Sequence, residues 1–134
     1  MKEWCDLNKL SLNIKKTNYM IIKSPKKKLA NAIEIKINNN DGTSTILERK
    51  DRVKYLGVLI DDKISWNFHI SYICSRISKN TGIFYKLRSY LSLQQLKQLY
   101  YSLIYPYITY AIAAWGSTYQ THLKKIQIKQ NHLI

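Results

Sequence analysis

Cysteine is scarce in this chain. Cys5 and Cys74 stand far apart with no paired spacing. That excludes a disulfide framework and a zinc site built on closely spaced cysteines, and it suits a reducing compartment. An apolar leader is missing too: Lys2, Glu3 and Trp4 follow Met1. Without the apolar core of a signal peptide, the chain is expected to be intracellular, in nucleus or cytoplasm, and not secreted. There is no internal repeat and no flexible linker. Carboxylates are few, 8 against 22 Lys and Arg, which leaves a net charge of +14 on 134 residues. Such an imbalance favours a polyanionic partner, nucleic acid first and an anionic membrane second. A basic protein with no such partner is the plainer alternative.

What is present is enough apolar residue for a core. Hydrophobic residues make up 46% of the chain, which excludes wholesale disorder. The length fits one domain or the tail of a larger one. Eleven tyrosines and three tryptophans supply flat rings that could stack on bases or fill a core.

The organising stretch is Arg52 to His69. Val53 to Ile60 is apolar except for Lys54, and its β-branched content predicts a strand buried on both faces. Gly57 leaves room inside it for a close backbone approach. Asp61 and Asp62 end the strand, and Asn67 is placed to cap a long helix. Everything upstream reads as β-rich, and everything downstream as helical.

Upstream, Glu3 to Leu10 has the spacing of a short helix with Trp4 and Leu7 on one face. Thr17 to Lys23 predicts a strand, and Ser24-Pro25-Lys26-Lys27-Lys28 a basic loop whose lysines repel one another into solvent. Ile33, Ile35 and Ile37 alternate with polar residues as in a half-buried strand. A turn over Asn38 to Gly42 and a return over Thr43 to Glu48 follow. Together with the Val53 run this predicts a small antiparallel sheet of about four strands.

Downstream, Ile70, Ile73, Ile77, Phe84, Leu87 and Leu91 recur at helical steps, with Lys79 and Lys86 on the opposite face. Ser92 and Gln95 make a capping box, so a second helix starts there. Pro106 predicts a break, Gly116 a C-terminal stop, and Thr118 to Ile134 a weaker basic helix. Tyr100, Tyr107 and Tyr110 are expected to pack on the stripe of the preceding helix.

Leu99 to Gly116 contains no charged residue, which raises a membrane span. Pro106 in mid-run and five tyrosine hydroxyls that lipid could not satisfy argue instead for a buried helix and no membrane partner.

Three pieces in order carry a resemblance: Leu12-Asn13-Ile14-Lys15-Lys16-Thr17, then Tyr55-Leu56-Gly57-Val58-Leu59-Ile60-Asp61 with Ile64-Ser65-Trp66-Asn67-Phe68-His69-Ile70, then Leu99 to Gly116. The chain thereby resembles reverse transcriptases of non-LTR (LINE-type) retrotransposons, over nearly its whole length. The resemblance implies an α+β fragment of an RNA-directed DNA polymerase. Residues 1–63 would be the end of the palm, a small antiparallel sheet, and residues 64–134 a helical thumb-like region. Its partners would be RNA and DNA as template-primer duplex, and the remainder of the polymerase.

By the same resemblance the metal-binding aspartate pair lies upstream of this chain. No catalytic or metal residue is therefore expected here, and Mg²⁺ belongs to the full-length enzyme, not to this piece, which would be inactive alone. Asp61-Asp62 superficially fits a two-metal hairpin, but Lys63-Ile64-Ser65-Trp66 leads into a helix and not into a second strand, so both read as turn residues. Lys16 matches an accessory lysine near the incoming triphosphate, where a cation would offset developing charge. Its plain alternative is a solvated loop lysine. Tyr55, Leu56 and Gly57 match the primer grip, against the alternative of a core strand, and Gly57 has the bare backbone a sugar-phosphate could approach. Lys79 and Lys86 are expected to contact phosphate. His69 reads as a structural histidine in the first turn of its helix, since no nucleophile sits in a strained, Gly-flanked turn. From another functional class, a noncatalytic helical protein-interaction domain docking a partner through its second helix remains the alternative.

Overall fold

The structure, a computed structural model, describes residues 2–24, 26, 33–38 and 42–133. Most of the basic loop after Ser24 (Pro25, Lys27 and Lys28) and the turn residues Asn39, Asn40 and Asp41 lie outside the described residues. The fold is α+β, and its described residues form two compact units. One runs up to Val53 and takes in Asp61–Lys63; the other consists of Lys54–Ile60 and the chain from Ile64 onward.

The first unit opens with helix α1 (Lys2–Leu7) and a 3-10 turn at Ile14–Lys16. Short strands follow: β1 (Asn18–Tyr19), β2 (Lys36–Asn38), β3 (Ser44–Ile46) and β4 (Glu48–Arg49). The single antiparallel sheet expected from the sequence is not what forms among the described residues. β2 pairs antiparallel with β3, aligning Ile37 with Thr45, whereas β1 pairs in parallel with β4, aligning Tyr19 with Arg49. Thr17 to Lys23 contributes only two strand residues, and Ile33 and Ile35 precede β2 and are exposed. Alternation signals a strand only when a layer covers its apolar face. Cys5 and Leu47 are the buried apolar side chains of this unit among the described residues.

The run from Val53 to Ile60 is a hairpin and not one strand. β5 (Arg52–Tyr55) turns at Leu56 and Gly57 into β6 (Val58–Asp61). Leu56 (φ 45°) and Gly57 (φ 86°) both have positive φ, as a two-residue type I′ connection requires. Glycine takes that conformation freely, whereas leucine does so against its Cβ.

The second unit is helical. Helix α2 (Asn67–Leu87) buries Ile70, Ile73, Ile77 and Phe84 of the expected stripe, whereas Leu87 is half-buried at its end and Leu91 lies beyond the helix. Its cap differs from expectation. Trp66, with φ 61°, holds the N-cap position with no side-chain capping bond, and Asn67 is already helical. Trp66 packs against the core, and the Asn67 amide donates to Ser65 Oγ (3.4 Å).

Helix α3 (Leu93–Leu103) starts at the expected capping box. The Ser92 amide donates to Gln95 Oε1 (2.9 Å), and the Gln95 amide donates to Ser92 Oγ (3.4 Å). The uncharged run then breaks twice. Pro106 sits in the first turn of α4 (Tyr105–Thr109), where its missing amide proton is harmless, and Ala111 (φ 52°) precedes α5 (Ile112–Trp115). Gly116 ends α5 as expected, but in right-handed conformation. The basic α6 (Gln120–Asn131) closes the unit. No helix among the described residues is long and apolar enough to cross a membrane.

Ile70, Ile73, Ile77, Phe84, Ile104, Trp115 and Ile126 form the core, with Tyr100 and Tyr107 packed on it. Ile77 is fully buried. Ile77→Ala should therefore cost about 2–5 kcal/mol of the unit's stability, from lost transfer energy plus an unfilled cavity. Urea unfolding followed by circular dichroism checks this, and a cost under about 1 kcal/mol would show a site free to collapse.

Candidate nucleic-acid interface

The hairpin turn is held from two sides within the second unit. The Leu59 amide donates to His69 Nδ1 (3.4 Å), and the Tyr110 hydroxyl donates to the Leu56 carbonyl (2.5 Å). Trp115 joins the two supports: its Nε1 donates to the Tyr110 carbonyl (2.9 Å), and its indole meets the His69 ring edge-on at 5.7 Å. Tyr110 therefore packs elsewhere than expected, over Gly57 and not on the α2 stripe. A Cβ built on Gly57 would stand 3.4 Å from the Tyr110 ring, ordinary contact, so positive φ is what calls for glycine here. Tyr55 and Leu56 are exposed at the tip.

His69 is buried, stacked on Tyr72 and faced by Trp66 and Trp115. Accepting a bond at Nδ1 fixes the neutral tautomer with the proton on Nε2. Nε2 has no hydrogen-bond partner. Desolvation holds the imidazole below its usual pKa.

From this support a cationic stripe runs along α2. Lys54 of β5 lies over the Tyr72 ring (5.8 Å), and Arg76 lies over the same ring (5.1 Å). The hydrogen bond with Tyr72 raises the Arg76 pKa further above its usual value. Positions 72, 76, 79 and 86, at steps of four, three and seven, fall on one helical face. Lys79 and Lys86 are exposed there, opposite Ile70, Ile73 and Ile77. From Lys63 to Ile134 the sequence holds nine Lys and Arg and no Asp or Glu, and Lys54–Ile60 adds no carboxylate. Arg76, Lys79 and Lys86 therefore have no carboxylate side chain in their own unit to pair with. On α6, Lys125 and Lys129 lie near Cys74, whose thiol is raised mainly by burial and lowered in part by their charge.

Tyr55, Leu56, Gly57, Lys79 and Lys86 thus share the second unit. Lys16 lies in the first, exposed in the 3-10 turn. The Asn-x-x-Lys-Thr spacing closes that turn: the Lys16 amide donates to Asn13 Oδ1 (3.2 Å), and Thr17 Oγ1 donates to the Asn13 carbonyl (2.8 Å). Asp61 is buried at the end of β6, and the Asp62 backbone is tied to Asp51 and Lys23. No group of three or more His, Cys, Asp and Glu converges among the described residues. Reading the sequence missed Tyr72 and Arg76, and it assigned Tyr110 to the helix stripe and not to the hairpin. Spacing alone could have placed Arg76 beside Lys79, but the Tyr110 bond joins residues 54 positions apart and leaves no local signal.

The chain is 35% identical over 81 residues to the probable RNA-directed DNA polymerase from transposon X-element of Drosophila melanogaster. It is 30% identical over 94 residues to the RNA-directed DNA polymerase from mobile element jockey of Drosophila funebris. The two likenesses cover 58% and 67% of this chain but only 9% and 10% of the relatives. The similarity to non-LTR retrotransposon polymerases read from the motifs therefore extends to two curated proteins. No family model and no solved structure matches the chain.

Two outcomes follow from the hairpin supports. Tyr110→Phe removes one hydrogen bond and should cost about 0.5–1.5 kcal/mol, read as a lower urea midpoint at unchanged slope. The second concerns pH. The unfolded chain takes up a proton at His69 near pH 6.5, whereas the folded chain resists it. Stability present above that pH should fall as pH drops below it, levelling once the depressed folded pKa is passed. Denaturation midpoints at pH 7 and pH 5 test this, and His69→Phe should shrink their difference. An undiminished difference would assign the effect to other groups.

Proposed function

We propose that the chain is a working piece of a non-LTR reverse transcriptase that holds template-primer duplex, with residues 1–63 as the end of the palm and 64–134 as a thumb-like region. The observation that carries this reading is the cationic stripe of α2, which has no carboxylate in its unit and which starts beside a propped hairpin. Arg76 to Lys86 spans ten residues, roughly 15 Å of helix. Phosphates recur every ~3.4 Å along a strand, so such a stripe can meet several without reading sequence.

In this reading Lys79 and Lys86 contact backbone phosphates. Tyr55, Leu56 and Gly57 lie against the primer end, with the exposed tip making the contact and Tyr110 fixing it from behind. Lys16 serves as an accessory cation toward an incoming triphosphate. The two-metal chemistry, with its Mg²⁺ and aspartates, is supplied by other parts of the polymerase. Trp4, Leu7 and Leu10 expose large apolar surfaces in the first unit, which fits a larger body covering them.

Binding to an RNA–DNA duplex across a salt series tests the reading. Each lost phosphate contact lowers the log–log slope by about one unit, so Lys79→Gln with Lys86→Gln should lower it by about two. Unrelated duplex sequences should weaken alike. An unchanged slope would move the surface away from α2, and salt-insensitive binding or none by the folded parent would sink the nucleic-acid reading.

A further inference from the structure

A groove of about 690 Å³ lies between the last turns of α2, the first turns of α3 and the end of α6. Phe84, Leu96 and Leu133 line it, and Leu93 stands in it 83% exposed. Its walls are fixed by hydrogen bonds: Tyr85 Oη donates to the His132 carbonyl (3.0 Å), and Gln130 Nε2 donates to the Tyr100 hydroxyl (2.7 Å). Arg88 and Lys97 also line it, and both side chains are exposed.

We propose that this groove docks an acidic amphipathic helix of a partner protein. An apolar trough takes the apolar face of a helix by burying side chains at i, i+3 and i+4 spacing. Leu93 in water is the kind of side chain such an anchor covers. Charge complementarity names the partner's other face. The unit offers Arg88 and Lys97 no carboxylate, so the incoming helix supplies it. Aliphatic Leu93, Leu96 and Leu133 suit the apolar face of a helix and not a sugar-phosphate; the rings of Tyr85, Tyr100 and Tyr101 also line the groove, which makes base stacking the competing occupancy that the RNA arm of the test reads. The surface also differs from the stripe of Lys79 and Lys86, since Phe84 lies on the buried side of α2. The inference therefore stands apart from the template-primer reading.

A displayed library of 16-residue amphipathic peptides, with Leu or Phe on one face and the other face varied among Glu, Gln and Lys, would be selected against the 134-residue chain. Glu-rich binders should be enriched over Lys-rich ones. Leu93→Ser with Lys97→Glu, both at exposed positions, should weaken them at least tenfold while circular dichroism stays unchanged. Lys79→Gln with Lys86→Gln should leave them unaffected. Loss of binding on this second pair, competition by single-stranded RNA at the groove, a concentration-dependent dimer lost with Leu93→Ser, or no enrichment of acidic peptides would each overturn the proposal.

Discussion

The two hydrogen bonds that hold the hairpin backbone, the Leu59 amide donating to His69 Nδ1 and the Tyr110 hydroxyl donating to the Leu56 carbonyl, are the constraint on which the second unit's candidate surface depends. A two-stranded hairpin is marginal by itself in water. Here it is fixed at the turn by a side chain from the corner after α4 and along β6 by one from the first turn of α2. Trp115, buried in the core, contacts both supports. Core packing thus reaches the exposed tip through Trp115, with Trp66 and Tyr72 also holding the His69 ring, and changes in the core should be felt at Tyr55 and Leu56.

Charge is sorted along the chain as strictly as secondary structure. All carboxylate side chains fall at or before Asp62, and the described ion pairs, Lys36–Glu34 and Lys50–Glu48, lie in the first unit. Exposed pairs of that kind contribute little stability. The consequence in the second unit is larger. Its cations have no carboxylate side chain within their own unit to offset their field. Tyr72 softens the crowding of Lys54 and Arg76 by offering its ring face to both, a contact worth about 0.5–1 kcal/mol at exposed sites.

The helical half was legible in the sequence because its signals are local. The Ile70–Ile73–Ile77–Phe84 stripe, the Ser92–Gln95 box and the interruption at Pro106 each follow from residues within a few turns of one another. The β half was less legible for the opposite reason. Strand pairing joins Asn18 to Glu48, thirty residues away and in parallel, and the alternation of Ile33 and Ile35 does not lead to burial. The hairpin was hidden by its own composition. An apolar run with Leu-Gly at its centre reads as one buried strand, whereas Asn-Gly would have announced the turn. Of the candidate site, Lys79 and Lys86 were placed correctly on the outer face by helical period. Arg76 and Tyr72 were overlooked, although they obey the same period.

Four turns of the second unit carry backbone strain. Leu56, Ile64, Trp66 and Ala111 all belong to the second unit, and all take positive φ without being glycine. Such positions cost about 1–3 kcal/mol each and persist only where the surroundings over-determine them. The surroundings are identifiable here. Leu56 is held by Tyr110; Trp66 is packed into the core beside His69; Ala111 lies between Tyr110 and the helix carrying Trp115. Ile64 lies two residues before Trp66 in the approach to α2. Leu56 and Ala111 thus turn the chain at the hairpin tip and beside Tyr110, and Trp66 turns it beside the His69 ring. A sequence optimised for local preference would place Gly or Asn at these turns and relieve the strain. The native sequence instead places Leu at the tip, where an exposed apolar side chain on a fixed turn can press against whatever lies before it.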